Sequence, residues 1–234
     1  MISIYPPHPF GGRARGRGFG CGLSFYPRTL MRTIVYVDGF NLYYGALKGT
    51  HFKWLDLHKL CRLLLPQNQI VGIKYFTARV SARPQDPDQP TRQQTYLRAL
   101  QTLPNLEIIY GHFLAHEILM PRANNPARQV KVIKTEEKGS DVNIAAHMVN
   151  DGHRRRYEMA VLISNDSDLL EPLKIVRTEL NLPVGILNPQ KRPSRVLLQH
   201  ASFVKKIRRG PLQASQFPAR LQDANGRFRK PAGW

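Results

Sequence analysis

A chain of 234 residues is long enough to bury a sizeable core, most simply as one domain with ragged ends. Membrane and disulfide classes drop out: no apolar run approaches the roughly 20 residues of a spanning helix, and Cys21 and Cys61 have neither zinc-ligand spacing nor a disulfide framework around them, so a reducing cytosol fits. The net charge of +19 falls mainly at the two ends, about +11 of it in residues 1–30 and 205–234, yet the middle stays basic, which points to a polyanion partner held through its phosphates.

Residues 1–31 carry the run Gly11 to Gly18, rich in Arg and Gly, with scattered prolines and no apolar periodicity; the expectation is a disordered extension without a secretory signal. Met31 stands directly before the first strand and is a candidate natural start. Thr33–Val37 is a β-branched run stopped by Asp38-Gly39-Phe40-Asn41. Leu57, Leu60, Cys61 and Leu64 then repeat at helical spacing between Asp56, a plausible N-cap, and Pro66, a stop. Ile70–Val80 reads as a second strand, 81–90 as a proline-rich loop, Thr91–Leu103 as a helix and Leu106–Phe113 as a third strand.

Met120–Lys134 is basic, with Arg122, Arg128, Lys131 and Lys134, and reads as a surface loop or hairpin. Ser140 is expected to cap a helix from Asp141 to about Asp151 that turns Val142, Ala145, Ala146 and Val149 to the sheet, with Asp141 close to the buried side of its first turn. Ala160–Ile163 is a strand buried on both faces that ends in the turn Ser164-Asn165-Asp166-Ser167-Asp168. A helix over 169–180, a strand over 182–187, a short helix over 194–200 and an edge strand over 203–207 follow. Residues 208–234 are basic and punctuated by Pro and Gly, and read as a disordered tail. Alternating strands and helices predict an α/β protein, a three-layer α/β/α sandwich on a mostly parallel sheet.

Four acids are thereby placed on one rim: Asp38 after the first strand, Asp141 at a helix start, Asp166 and Asp168 after the fourth strand. Open parallel sheets put their ligand crevice at the carboxyl ends of the strands. Carboxylates gathered there raise one another's pKa unless a cation sits among them, and hard oxygen donors without His or Cys select Mg²⁺ or Mn²⁺. Such a cation can activate water and stabilise the leaving oxygen of a phosphodiester. Glu136 and Glu137 read as a solvated charge run beside Lys134 and Lys138.

The segments Val35–Leu42, Glu137–Val142 and Leu162–Leu173 resemble, in this order and spacing, the three motifs of the NYN domain family, a branch of the PIN-like metal-dependent ribonucleases, over about residues 32–207. The resemblance implies a PIN-like, Rossmann-like sandwich whose acidic pocket binds Mg²⁺ or Mn²⁺ and cleaves RNA, single-stranded by preference. Carried over by motif, Asp38, Asp141, Asp166 and Asp168 are the catalytic and metal-binding acids. Asn41, Ser164 and Lys138 are substrate-binding residues, Lys138 facing a phosphate. Two departures are visible: Asn165 stands where the family commonly has Gly, and Leu169 where Phe is usual.

The alternative from another class is a non-catalytic RNA or nucleotide-binding module that keeps the pocket. An Asp-x-Asp glycosyltransferase reading of Asp166 and Asp168 leaves Asp38 and Asp141 unused, and an aspartyl-phosphatase reading lacks a second acid two residues after Asp38. Telling RNA from DNA needs a contact to the 2′-hydroxyl that no motif here encodes, and a homodimer is left open.

Overall fold

The computed structural model describes residues 30–234. The expectations for Cys21 and for nearly all of the Arg/Gly-rich extension therefore lie outside the described residues. Strands β1 (Met31–Asp38), β2 (Asn68–Thr77) and β3 (Leu106–Tyr110) are followed by a hairpin of β4 (His112–Arg122) and β5 (Asn125–Lys138). Then come β6 (Met159–Ile163), β7 (Val184–Asn188), β8 (Phe203–Lys206), β9 (Arg220–Asp223) and β10 (Gly226–Arg229). The helices are α1 (Gly39–Leu42, widening into 43–47), α2 (Leu57–Leu64), α3 (Gln89–Leu100), α4 (Ser140–His153), α5 (Leu170–Lys174), α6 (Arg195–Leu198) and α7 (Arg209–Ala214).

Six strands form one parallel sheet in the order β3-β2-β1-β6-β7-β8. With the hairpin left aside, this is the doubly wound order 3-2-1-4-5-6, in which β1 and its neighbour β6 run outward to opposite halves and leave a crevice between their carboxyl ends. The register pairs Val37 with Ile163, so the residues just beyond them, Asp38 and Ser164, emerge side by side.

Alternation along the strands builds two cores. Val35, Val37, Ile73, Tyr75, Val161 and Ile163 meet α2 and α3 on one face, while Ile34, Tyr36, Phe76, Ala160, Leu162 and Ile186 meet α4, α5 and α6 on the other. The result is the three-layer α/β/α sandwich expected. On the second face Asp151 is fully buried, bonded to Lys74 at 2.6 Å, Arg156 at 3.1 Å and the Tyr36 hydroxyl at 2.9 Å.

One expectation is extended and two are corrected. The basic stretch 120–134 is a hairpin, as one of its two readings had it, but a longer one, His112–Lys138, that pairs with itself and forms a sheet of its own. In α4 the cap is Gly139, at φ +95°, with Ser140 one place inside; the face turned to the core is Ile144, Met148 and Asp151, whereas Val142 is 72% exposed. A left-handed cap favours glycine because a Cβ there is strained, and the buried stripe follows packing against Leu173 and Val176 rather than the Val142 side.

Most of all, 208–234 is not a disordered tail. It folds as α7 and the hairpin of β9 and β10, carrying Leu212 and Phe217 into the first core. The fully buried Trp54 donates its indole N–H to the Pro218 carbonyl at 2.8 Å, and Asp223 pairs with Arg98 at 2.6 Å. Trp54 would otherwise be a large apolar ring facing water, so this segment belongs to the folded unit.

Candidate active site at the sheet switch point

Asp38 ends β1 and is buried. One oxygen accepts the Asn41 N–H at 2.9 Å, which caps α1, and the other accepts the Ser164 hydroxyl at 3.0 Å across the switch point. Ser164 Oγ accepts the Asp166 N–H at 3.1 Å, and Asp166 Oδ1 accepts the Asp168 N–H at 3.1 Å. Asn41 closes the circuit, its side-chain carbonyl accepting the Asn165 N–H at 3.1 Å. The two turns are thus stapled together by the residues that the sequence nominated, and Asp38 and Asp166 are fixed relative to each other.

Gly39 is required at this bend. A Cβ there would lie 2.7 Å from the tip of the Tyr75 ring and from the Phe76 carbonyl, so the close approach of β2 to the first turn depends on its absence.

Asp141 enters from the first turn of α4, partly buried. Burial, and then the charges of Asp38, Asp166, Glu137 and Asp168, push its carboxyl up to about 6. Asp38 is likewise held above the ordinary range by burial; the bonds from Asn41 and Ser164 oppose this, and Asp166 and Glu137 add to it. Asp168, at the open end, is exposed. Burial comes first in both shifts, and on top of it acids from three separate segments act on one another, with too little positive charge between them.

Two residues stand otherwise than expected. Lys138 bonds Glu136 at 3.0 Å, on a carboxylate that Lys134 and Lys138 together hold down to about 2, so it is already partnered. Glu137, read as solvated charge, instead accepts the Ser140 hydroxyl at 2.8 Å and its N–H at 3.3 Å, fastening the start of α4 and adding a fifth acid to the cluster. The spacing Glu137-x-x-Ser140 ahead of a helix was the signal available for it.

Among the described residues no three His, Cys, Asp or Glu side chains stand close enough for a ready-made cation cage. The donor set nevertheless suits Mg²⁺, which keeps several waters and is usually held by one or two carboxylates together with substrate phosphates. The chemistry is oxygen-only, and mutual repulsion leaves the acids short of a counter-charge.

The crevice has two flanks. On one side an open cleft of about 650 Å³ runs between Asn41, Asn165 and Asp166 and the cations Lys191 and Arg192, and the adjoining groove adds Lys206 and Arg209. On the other a more enclosed cleft of about 610 Å³ has aromatic walls and reaches Gly39 and Glu137.

A doubly wound parallel sheet with acids collected at its switch point defines a Rossmann-like α/β class with a candidate hydrolytic or ligand-binding centre. Within that class the chain belongs to the NYN domain family, whose sequence profile matches residues 32–206. It is 30% identical to 6-hydroxy-3-succinoylpyridine 3-monooxygenase HspA of Pseudomonas putida, over 87% of this chain and 75% of that one. A crystal structure of a protein of unknown function from Vibrio parahaemolyticus shares the fold, with a TM-score of 0.51 at 16% identity, over 77% of this chain and 94% of that one. No helix among the described residues is long and apolar enough to cross a membrane.

Proposed function

We propose that the protein is a Mg²⁺- or Mn²⁺-dependent nuclease that hydrolyses the phosphodiester bonds of single-stranded RNA. The supporting observation is the convergence of Asp38, Asp141, Asp166 and Asp168 on one rim, where burial, and then the charges of the neighbouring acids, carry Asp141 to about 6. Asp38 and Asp166, fixed by the Ser164 and Asn41 staples, would hold the cation, with Asp168 reaching from the open side. Such a cation, when bound, lowers the pKa of coordinated water and stabilises charge on the departing oxygen. Asp141 is poised to accept the proton of the attacking water at its carboxylate, since a base works best with a pKa near the operating pH. Lys191 and Arg192 would receive the strand's phosphates, which the acids themselves repel.

The test is degradation of single-stranded RNA by the purified protein with Mn²⁺ or Mg²⁺ and after chelation. Cleavage should need the divalent ion and fall at least about a hundredfold in Asp38→Asn, the order seen when an electrostatic group of the reaction is lost. An Asp38→Asn protein of full activity contradicts the assignment.

A second reading is favoured by one observation. The similarity to the monooxygenase covers 87% of this chain, more than the family domain at 32–206. On that reading the chain acts on a small heteroaromatic acid. Consumption of 6-hydroxy-3-succinoylpyridine with dioxygen and an electron donor, alongside RNA left intact, would put it first.

A further inference from the structure

The aromatic cleft beside Asp38 takes no part in the acid chemistry just described. At about 610 Å³ it falls within the ~300–1,000 Å³ of small-molecule sites. Its walls include Tyr43, Tyr75, Tyr96, Phe113 and Trp234, and Lys53, Arg83 and Arg92 stand among them. Trp234 is braced by Tyr96, ring centroids 5.8 Å apart, and by Trp54 at 6.5 Å, and the Lys53 ammonium lies 6.0 Å from the Trp234 ring centre.

The charges in the cleft are unevenly committed. Asp86 is paired with Arg92 and Glu137 with the start of α4, and among the described residues no carboxylate holds Lys53 or Arg83. An anionic group entering here therefore meets two free cations, and a flat ring meets several aromatic faces.

The cleft adjoins the acid rim. Gly39 and Glu137 line it, and the ring tip of Tyr75 lies against Gly39, next to Asp38. Aromatic platforms interleaved with cations are how proteins hold single strands: stacking grips any base, and the cations follow the backbone.

We propose that this cleft is a base-binding subsite that takes one nucleotide of a single strand. The base stacks against Trp234 and Tyr43, and its phosphate lies by Lys53 and Arg83, beside the bond presented to Asp38. The subsite rests on the nuclease reading but is tested without cleavage. A strand would then cross the crevice with its phosphates over Lys191 and Arg192 on one flank and an inserted base on the other.

The experiment is calorimetric titration of the full chain, with chelator present, by uridine 5′-monophosphate, inorganic phosphate and a hydroxypyridine carboxylate. One nucleotide should bind per chain, more tightly than phosphate. Trp234→Ala should weaken it about tenfold or more, the loss of one base stack; Trp234→Phe should keep most of the affinity, and Arg83→Ala, on the exposed rim, should lower it several-fold. No nucleotide binding, affinity untouched by Trp234→Ala and Arg83→Ala, or tighter binding of the pyridine acid overturns the proposal. RNA left uncut while the nucleotide binds as described would count against the nuclease reading alone. RNA cut normally by a protein that ignores the nucleotide would count against the subsite alone.

Discussion

Asn165 occupies the turn where the family commonly carries glycine, and the structure gives the asparagine work of its own. Its backbone is not left-handed. Its side chain accepts the Ser194 N–H at 2.7 Å and donates to the Arg192 carbonyl at 3.1 Å, so it ties the acid turn to the loop that carries Lys191 and Arg192. Asn165→Gly should therefore cost about 1–3 kcal/mol for two lost hydrogen bonds in urea unfolding; an unchanged midpoint would mean the bonds carry no weight. Asp141 makes a pH prediction. Its carboxyl rises from an ordinary 3.8 to about 6 on folding, so the folded state binds that proton more tightly than the unfolded one. Without divalent ions, stability should fall as pH rises from about 4 to about 6, because the unfolded chain binds fewer protons there. Asp141→Asn should flatten that slope in thermal melts taken across the window, and an unaltered slope would place the titration elsewhere. Asp38, Asp166 and the staples Asn41 and Ser164 were legible because each lies within four residues of the end of a short apolar run, Ile34–Val37 or Met159–Ile163. Glu137 was not, because a helix-fastening acid inside the run Lys134–Lys138 looks like solvated charge.

At the scale of elements, β1 and β6 could be read from sequence because both faces of each are buried, which leaves uninterrupted β-branched and aliphatic runs. The segment after Arg209 could not. Its core-facing residues, Leu212, Phe217, Leu221 and Phe228, are single apolar side chains separated by Arg, Gln and Pro, on elements of four to six residues or, for Phe217, between them. No window there repeats often enough to show a period, and the reason the segment orders lies in a partner far away in sequence, the buried Trp54. The same distance effect misplaced the inner face of α4, where the winning contacts come from Leu173 and Val176 rather than from local pattern. Phe217→Ala should cost about 3–5 kcal/mol, the range for emptying a buried aromatic site, as measured by denaturant unfolding. A change below about 1 kcal/mol would mean the segment is only lightly docked.

For the whole molecule, strand order is the property that carries the account and the one that local sequence expresses least. Alternating strands and helices implied a parallel sheet, but only the observed order puts the ends of β1 and β6 at the switch point and so brings Asp38 to Ser164. The net charge of +19 acts at the same scale. If a strand follows Lys191, Arg192, Lys206 and Arg209, about four phosphates are neutralised. The logarithm of single-stranded RNA affinity should then fall with the logarithm of salt at a slope of about −3. A slope near zero would remove RNA from that flank, whereas a steep slope with RNA left intact under every divalent ion would mark a binding module that keeps the pocket without turnover.

The most direct measurement is anomalous diffraction from a crystal soaked in Mn²⁺. The account predicts a peak between Asp38 and Asp166, within coordinating reach of both carboxylates, that is absent in Asp38→Asn crystals. An empty crevice with the acids splayed to solvent, or a peak away from Asp38, would contradict it.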